Sequence, residues 1–237
     1  MEFFTRTHSR RDFFQRLATG AASLSTFAVF KEELLRLTES GTYQDLLQTT
    51  PSLTEGPFYP NKMPLDKDND LVIIGSSQIA ALGQVTHLSG KIIDRTGAPI
   101  KNATIEIWQV DGNGVYLHTG SDGSSRRDPN FQGFGQFETD STGTYKFRTV
   151  KPVPYPGRAP HIHFKVKLKG QEVLTSQIHV AGDPQNARDG VLRSAGNAEA
   201  QKLLIAAFNP LKDSKAAELE AKFNVILGVT PEDDHHH

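Results

Sequence analysis

The chain of 237 residues has no cysteine. That excludes disulfides, zinc–thiolate sites and a cysteine nucleophile, and leaves only nitrogen and oxygen ligands for any metal. Neither sign of charge dominates: 26 Lys and Arg stand against 27 Asp and Glu. A general nucleic-acid binder would carry a basic excess, so nucleic acid is not an expected partner. No glycine fingerprint for a nucleotide is present, which argues against a flavin or nicotinamide cofactor. There is no apolar run suited to spanning a membrane, no internal repeat and no separate second domain. Tyrosines number only five and histidines nine, so any crowding of them carries information.

Glycine and proline are plentiful, at 20 and 13, and predict many turns. The N-terminal stretch "THSRRDFFQRLATGAASLSTFAVF" pairs Arg10 with Arg11 ahead of a weakly apolar run. Residues 1–30 therefore resemble a twin-arginine export signal, with an amphipathic helix as the alternative. Export would place the protein in the periplasm or outside the cell; otherwise it is cytoplasmic. Residues 31–53 read as a helix, Lys31 to Thr50, followed by a linker; Leu34, Leu35 and Leu37 fall near one face. The final residues, 231–237, end in three histidines and read as a tail or tag.

Residues 54–230 form the expected domain. "SLTEGPFYPNKMP" is proline-broken and must be irregular. From Val85 the apolar period becomes two. A strand, a turn at Thr96–Pro99, a strand from Thr104 to Val110 and a turn at Asp111–Gly114 follow. "GQFETDSTGTYKFRTV" predicts a hairpin about Asp140–Gly143, and "HIHFKVKL" with "EVLTSQIHV" a second about Lys169–Gly170. A helix is expected over Ala198–Phe208, then strand-like character in "AELEAKFNVILG". The fold class is mainly β: an antiparallel β-sandwich with an N-terminal helical segment and a few short helices.

The crowding occurs in "VPYPGRAPHIHFKV", Val153 to Val166. Alternation puts Ile162, Phe164, Val166 and Leu168 on one side of a strand, and His161, His163, Lys165 and Lys167 on the other. The two histidines are then roughly 6–7 Å apart at the backbone and can converge on one ion. H-x-H alone is a weak signal. Tyr155 adds to it, because prolines on both sides preset its direction. Tyr116, at the end of the "DGNGVY" turn, is a second candidate phenol. A phenol ligates as phenolate only beside a strongly charged cation, and ferric iron favours such anionic oxygen. Read singly, each tyrosine could equally be a packing residue.

Three segments, "TEGPFYP", "GKIIDRTGAPIKNATIEIWQVDGNGVY" and "FQGFGQFETDSTGTYKFRTVKPVPYPGRAPHIHFKV", resemble motifs of the intradiol ring-cleavage dioxygenases. That is the family of catechol, hydroxyquinol and protocatechuate dioxygenases, and the likeness runs from about Thr54 to Gly228. It implies a non-haem Fe(III) held by Tyr116, Tyr155, His161 and His163. It implies that Tyr155 takes a proton from the diol, that Arg158 stabilises anionic charge, and that Gln177 lies near substrate and metal. The substrates would be a small aromatic diol and O2, and the product a dicarboxylate of the cis,cis-muconate type. Tyr59 and His118 are candidate pocket residues. Tyr145 is read as a packing residue, and His179 is given no ligand role. The short link between Tyr155 and His161 resembles exported members more than the catechol and protocatechuate enzymes. A homo-oligomer is an open expectation. The competing readings are a transthyretin-like binding module, from the first strands alone, and a copper- or zinc-binding sandwich.

Overall fold

The computed structural model describes residues 46–228. Arg10, Arg11, most of the Lys31–Thr50 helix and the histidine tail lie outside the described residues. The last five residues of that expected helix, 46–50, are not helical. Leu47 N–H donates to Arg95 O and Thr50 N–H to Ile226 O, so this segment is tied to the domain. The reason is local: Pro51 disfavours helical backbone in the residue before it.

Ten strands follow. They are β1 (Val85–Asp94), β2 (Ala103–Trp108), β3 (Phe134–Glu138), β4 (Thr144–Val150), β5 (His161–Leu168), β6 (Gln171–Val180), β7 (Ile205–Ala206), β8 (Phe208–Pro210), β9 (Leu219–Lys222) and β10 (Val225–Leu227). Two short helices are described, α1 (Gly190–Arg193) and α2 (Ala198–Lys202). One sheet is built on β1, which pairs with β4, β9 and β10, while β8 extends from β9. The other has the order β3-β2-β5-β6-β7. Both sheets feed one apolar cluster that includes Leu88, Ile92, Ile105, Phe147, Ile162, Phe164 and Val166.

The sandwich is as expected, with three differences. The long pairings are antiparallel, but β1 pairs in parallel with β9 and β10, and β6 with β7. Apolar alternation identifies a strand and says nothing of its direction. The turn at Asp140–Gly143 does not close a hairpin: β3 pairs with β2 and β4 with β1, so the chain crosses between sheets. The Asp140 carboxylate accepts from Thr142 and Thr144, and Gly143 is left-handed at φ 70°. Such a turn fits a hairpin or an arch equally well. By contrast Lys169 and Gly170, at φ 49° and 79°, do join the paired β5 and β6.

The helix expected over Ala198–Phe208 stops at Lys202. Asn197 caps its start, and Glu199 pairs with Lys202. Beyond it the edge of β6 wins: His179 N–H donates to Leu204 O, and Ala181 N–H to Ala206 O. Tertiary pairing here overrides a sequence rich in helix formers.

The face of β5 opposite the core is covered as well. His161, His163 and Lys165 are all buried. The segment from Pro51 to Tyr59 lies against β5 and β6: Leu53 N–H donates to Thr175 O, and Ser176 Oγ to Pro51 O. Lys165 anchors it through Glu55 at 2.5 Å and Glu172 at 2.9 Å, with its ammonium 4.4 Å from the Tyr59 ring centre. Burial alone would lower the Lys165 pKa, but the two carboxylates more than reverse this and raise it.

Candidate metal centre

β5 is the platform of the site. Its neighbours in register set Trp108 and Gln177 beside His163, and His179 beside His161. Trp108 stacks on His163 with ring centres 4.8 Å apart and planes at 14°. Phe58 stacks on Tyr116 at 5.0 Å. Gly56 passes close enough that an added Cβ would lie 3.7 Å from His163 Cε1. Aromatic walls and the covering segment thus bury this point.

Three polar atoms meet there. Tyr116 Oη lies 2.9 Å from His163 Nε2 and 3.3 Å from His161 Nε2, and the two Nε2 atoms are 3.0 Å apart. His161 Nδ1 lies 2.6 Å from Ala159 O, so this nitrogen must carry the proton and Nε2 the lone pair. Burial, then the nearby Arg158 charge, push the His161 pKa down to about 3. Burial and His161 push His163 well below its usual value. Both rings are therefore neutral at pH 7, the form that ligates metal. Burial and the neighbouring Tyr155 phenol raise the Tyr116 hydroxyl well above the usual phenol value, against the opposing pull of Arg158. Only a strong positive charge at this point would bring the phenolate into the neutral range. The buried His163 Nδ1 has no hydrogen-bond partner among the described residues. His161 Nε2 offers a lone pair, His163 Nε2 offers one when its proton sits on Nδ1, and the phenol oxygen lies within 3.3 Å of both. They make a fitting set of nitrogen and oxygen donors for a hard cation.

Tyr155 stands alongside, half-buried, its ring 5.5 Å from Tyr116 and 5.6 Å from His161 between centres. Arg158 turns back toward it on a tight loop, Arg158 N–H donating to Tyr155 O. The Arg158 guanidinium has three partners: Nη1 lies 3.3 Å from Tyr155 Oη, Nη2 donates to Gln177 Oε1 at 2.5 Å, and Nε donates to Asp189 Oδ2 at 2.9 Å. Gln177, fully buried, donates in turn to Thr54 O at 3.1 Å, joining the arginine to the covering segment.

The structure therefore brings Tyr116, Tyr155, Arg158, His161, His163 and Gln177 together. Tyr59 stands one layer away. Its hydroxyl donates to Glu106 at 2.9 Å, and its ring meets the edge of Trp108. It supports the Trp108 wall and packs in the same cluster as Tyr116 and Tyr155. His118 lines a cavity of about 220 Å³ that also touches Tyr116, and Gly120 N–H fixes its Nδ1 as the acceptor. Tyr145 is buried and donates to Phe223 O at 2.6 Å, a packing role.

Three residues escaped sequence reasoning. Trp108 and Phe58 looked like ordinary apolar positions. Asp189 sits 31 residues beyond Arg158, in the polar stretch "GDPQNARDG", where no local pattern points to the arginine. His161, His179 and Asp189 also place possible ligand atoms within 4.8 Å of one another. Asp189 is not free for a metal there: its oxygens already accept from Arg158 Nε and from the N–H groups of Ala159, Val191 and Leu192. Burial raises its pKa, but those backbone N–H groups and Arg158 outweigh that effect and hold it below the usual carboxylate range.

The arrangement has relatives. The family model described as dioxygenase matches residues 54–229. The beta chain of protocatechuate 3,4-dioxygenase from Burkholderia cepacia is 32% identical over 68% of this chain and 71% of its own length. Hydroxyquinol 1,2-dioxygenase from Corynebacterium glutamicum is 30% identical over 74% of this chain, which spans 57% of that relative. Among solved structures, the dioxygenase domain of a carbohydrate-binding fusion from Streptomyces sp. SirexAA-E superposes with a TM-score of 0.59. It shares 28% identity, covering 77% of this chain and 100% of that one. Catechol 1,2-dioxygenase from Acinetobacter sp. ADP1 gives 0.58 at 25% identity, covering 81% and 67%. The class is thus a β-sandwich dioxygenase. More narrowly, the chain belongs to the intradiol ring-cleavage dioxygenase family and is an enzyme of that kind.

Proposed function

We propose that the protein holds a non-haem ferric ion through Tyr116, Tyr155, His161 and His163 and cleaves a catechol-type diol between its two hydroxylated carbons. O2 is the co-substrate, and a cis,cis-muconate-type dicarboxylate is the product. The observation that carries this reading is the meeting of Tyr116 Oη, His161 Nε2 and His163 Nε2 within 3.3 Å of one another. When bound, ferric iron would supply the charge that ionises the phenols and the diol and the coupling that makes the ring reactive toward oxygen.

The chain's own residues divide the remaining tasks. His161 and His163 stay neutral and fixed, one by Ala159 O and the other by the Trp108 stack. Tyr116 is buried and walled by Phe58. Tyr155 is half-exposed on the loop carrying exposed Pro156 and Gly157, so its oxygen is the one free to move and take a diol proton. Arg158 Nη1 faces that oxygen and can stabilise negative charge beside it. The reading extends to export before action, on the strength of Arg10 and Arg11.

Metal analysis with visible spectroscopy tests the centre. One iron per chain, with a tyrosinate-to-iron band that weakens in Tyr116→Phe and is lost when Tyr155→Phe is added, supports it. A protein that carries zinc or copper in place of iron, with no tyrosinate-to-iron band, refutes it. Oxygen uptake on catechol, hydroxyquinol and protocatechuate would then rank the diols.

A further inference from the structure

Asp189 is almost fully buried, and its two oxygens do different work. Oδ1 accepts from Val191 N–H at 3.0 Å and Leu192 N–H at 2.9 Å, capping α1. Oδ2 points the other way, accepting from Arg158 Nε at 2.9 Å and Ala159 N–H at 2.8 Å. Ala159 is also the residue whose carbonyl orients His161. One carboxylate thus braces the guanidinium and the backbone leading to the first histidine.

We propose that Asp189 is the positioning residue of the site, holding the plane of Arg158 so that Nη1 meets Tyr155 and Nη2 meets Gln177. The inference rests on the reading of Arg158 given above and goes beyond it. A guanidinium fork fixed at Nε has little freedom left at its two terminal nitrogens. Without Oδ2 the arginine would keep only Gln177 and the 3.3 Å contact to Tyr155. The ion pair also sets how Arg158 acts. With Asp189 beside it the pair is neutral overall, so its influence on Tyr155 comes from directed N–H groups more than from net charge. Nothing else on α1 is needed for this, because capping uses only Oδ1.

The test is a double-mutant cycle of Asp189→Asn, Arg158→Gln and the double variant, read in two ways. Asparagine has one acceptor oxygen where aspartate has two, so it cannot both cap α1 and accept from Arg158 Nε and Ala159 N–H. In the iron-loaded enzymes, Asp189→Asn should keep its iron and visible band and lose about 10- to 100-fold in kcat per iron on catechol. In the Arg158→Gln background the same change should cost less than about 2-fold in kcat per iron, because the route through the guanidinium is gone and any loosening at Ala159 and His161 shows as lost iron instead. In the iron-free proteins, the drop in urea midpoint caused by Asp189→Asn should be largely relieved by Arg158→Gln, which removes the unpaired buried charge. If the loss of kcat is equal in both backgrounds, or merely follows lost iron, Asp189 is only structural and the proposal fails. If wild-type protein holds iron but cleaves no diol, the functional reading fails instead, and the iron-free cycle still decides whether Asp189 and Arg158 act as a pair. Should Asp189→Asn not fold, Asp189→Ser, another cap former, takes its place in both cycles.

Discussion

At the residue scale, charge placement decides the chemistry. Two imidazoles are kept neutral by burial, and a phenol is denied ionisation by the same burial. Arg158, paired with Asp189, sets its guanidinium beside the half-exposed Tyr155. Arg158→Ala should therefore retain iron, colour and diol binding, yet lose roughly two to three orders of magnitude in turnover. Arg158→Lys should recover only part, since a compact ammonium does not copy the planar fork that reaches Tyr155, Gln177 and Asp189. Steady-state kinetics alongside iron content would check both; a normally active alanine variant would make Arg158 an ordinary polar residue. Tyr145 supplies the contrast, being a tyrosine of the same domain placed in the core. Tyr145→Phe should leave colour and turnover unchanged and cost about 1–2 kcal/mol of stability, because Phe223 O loses its donor. Loss of iron in that variant would show that the centre depends on more than its own ligands.

At the element scale, β5 was the most legible part of the chain. Strict alternation in "HIHFKVKL" separated His161 and His163 from the core face, and the structure keeps that division. The Lys169–Gly170 hairpin was equally plain. The Asp140–Gly143 arch was not, because hairpin and arch share one turn chemistry and differ only in which strands pair afterwards. Nor was Asp189: its partner lies far away in sequence, and short-range patterns carry no trace of such a contact. The roles of Tyr116 and Tyr155 were legible chiefly through family likeness, since spacing alone left packing equally open. The two turns make a testable pair. At Gly143 an added Cβ would lie 2.5 Å from Ile92 O and the backbone is left-handed; at Gly170 the backbone is left-handed but space is open. Gly170→Ala should cost about 1–2 kcal/mol, the left-handed penalty alone. Gly143→Ala should cost more than that, because Ile92 and its strand must also shift. Chemical denaturation compares them, and equal losses would mean that the arch is not packed as described.

For the whole molecule, the sandwich gives a rigid platform and the covering segment a dry interior. Pro51 to Tyr59 is held to β5 and β6 by backbone bonds, by Gln177 and by Lys165, so the donors sit beneath a tethered layer. No helix among the described residues is long and apolar enough to cross a membrane. Export, if it follows the Arg10–Arg11 signal, should fail when both are replaced by lysine, leaving folded protein in the cytoplasm. Unchanged fractionation would favour the amphipathic-helix reading of that segment. The central claim concerns where the ring opens, and one measurement addresses it directly. Iron-loaded protein is given catechol under 18O2, and the product is identified by mass spectrometry. The account predicts one O2 consumed per catechol and a cis,cis-muconate carrying both labelled atoms, one at each new carboxylate. A semialdehyde from cleavage beside the diol, or no labelled product from a fully iron-loaded enzyme, would contradict it.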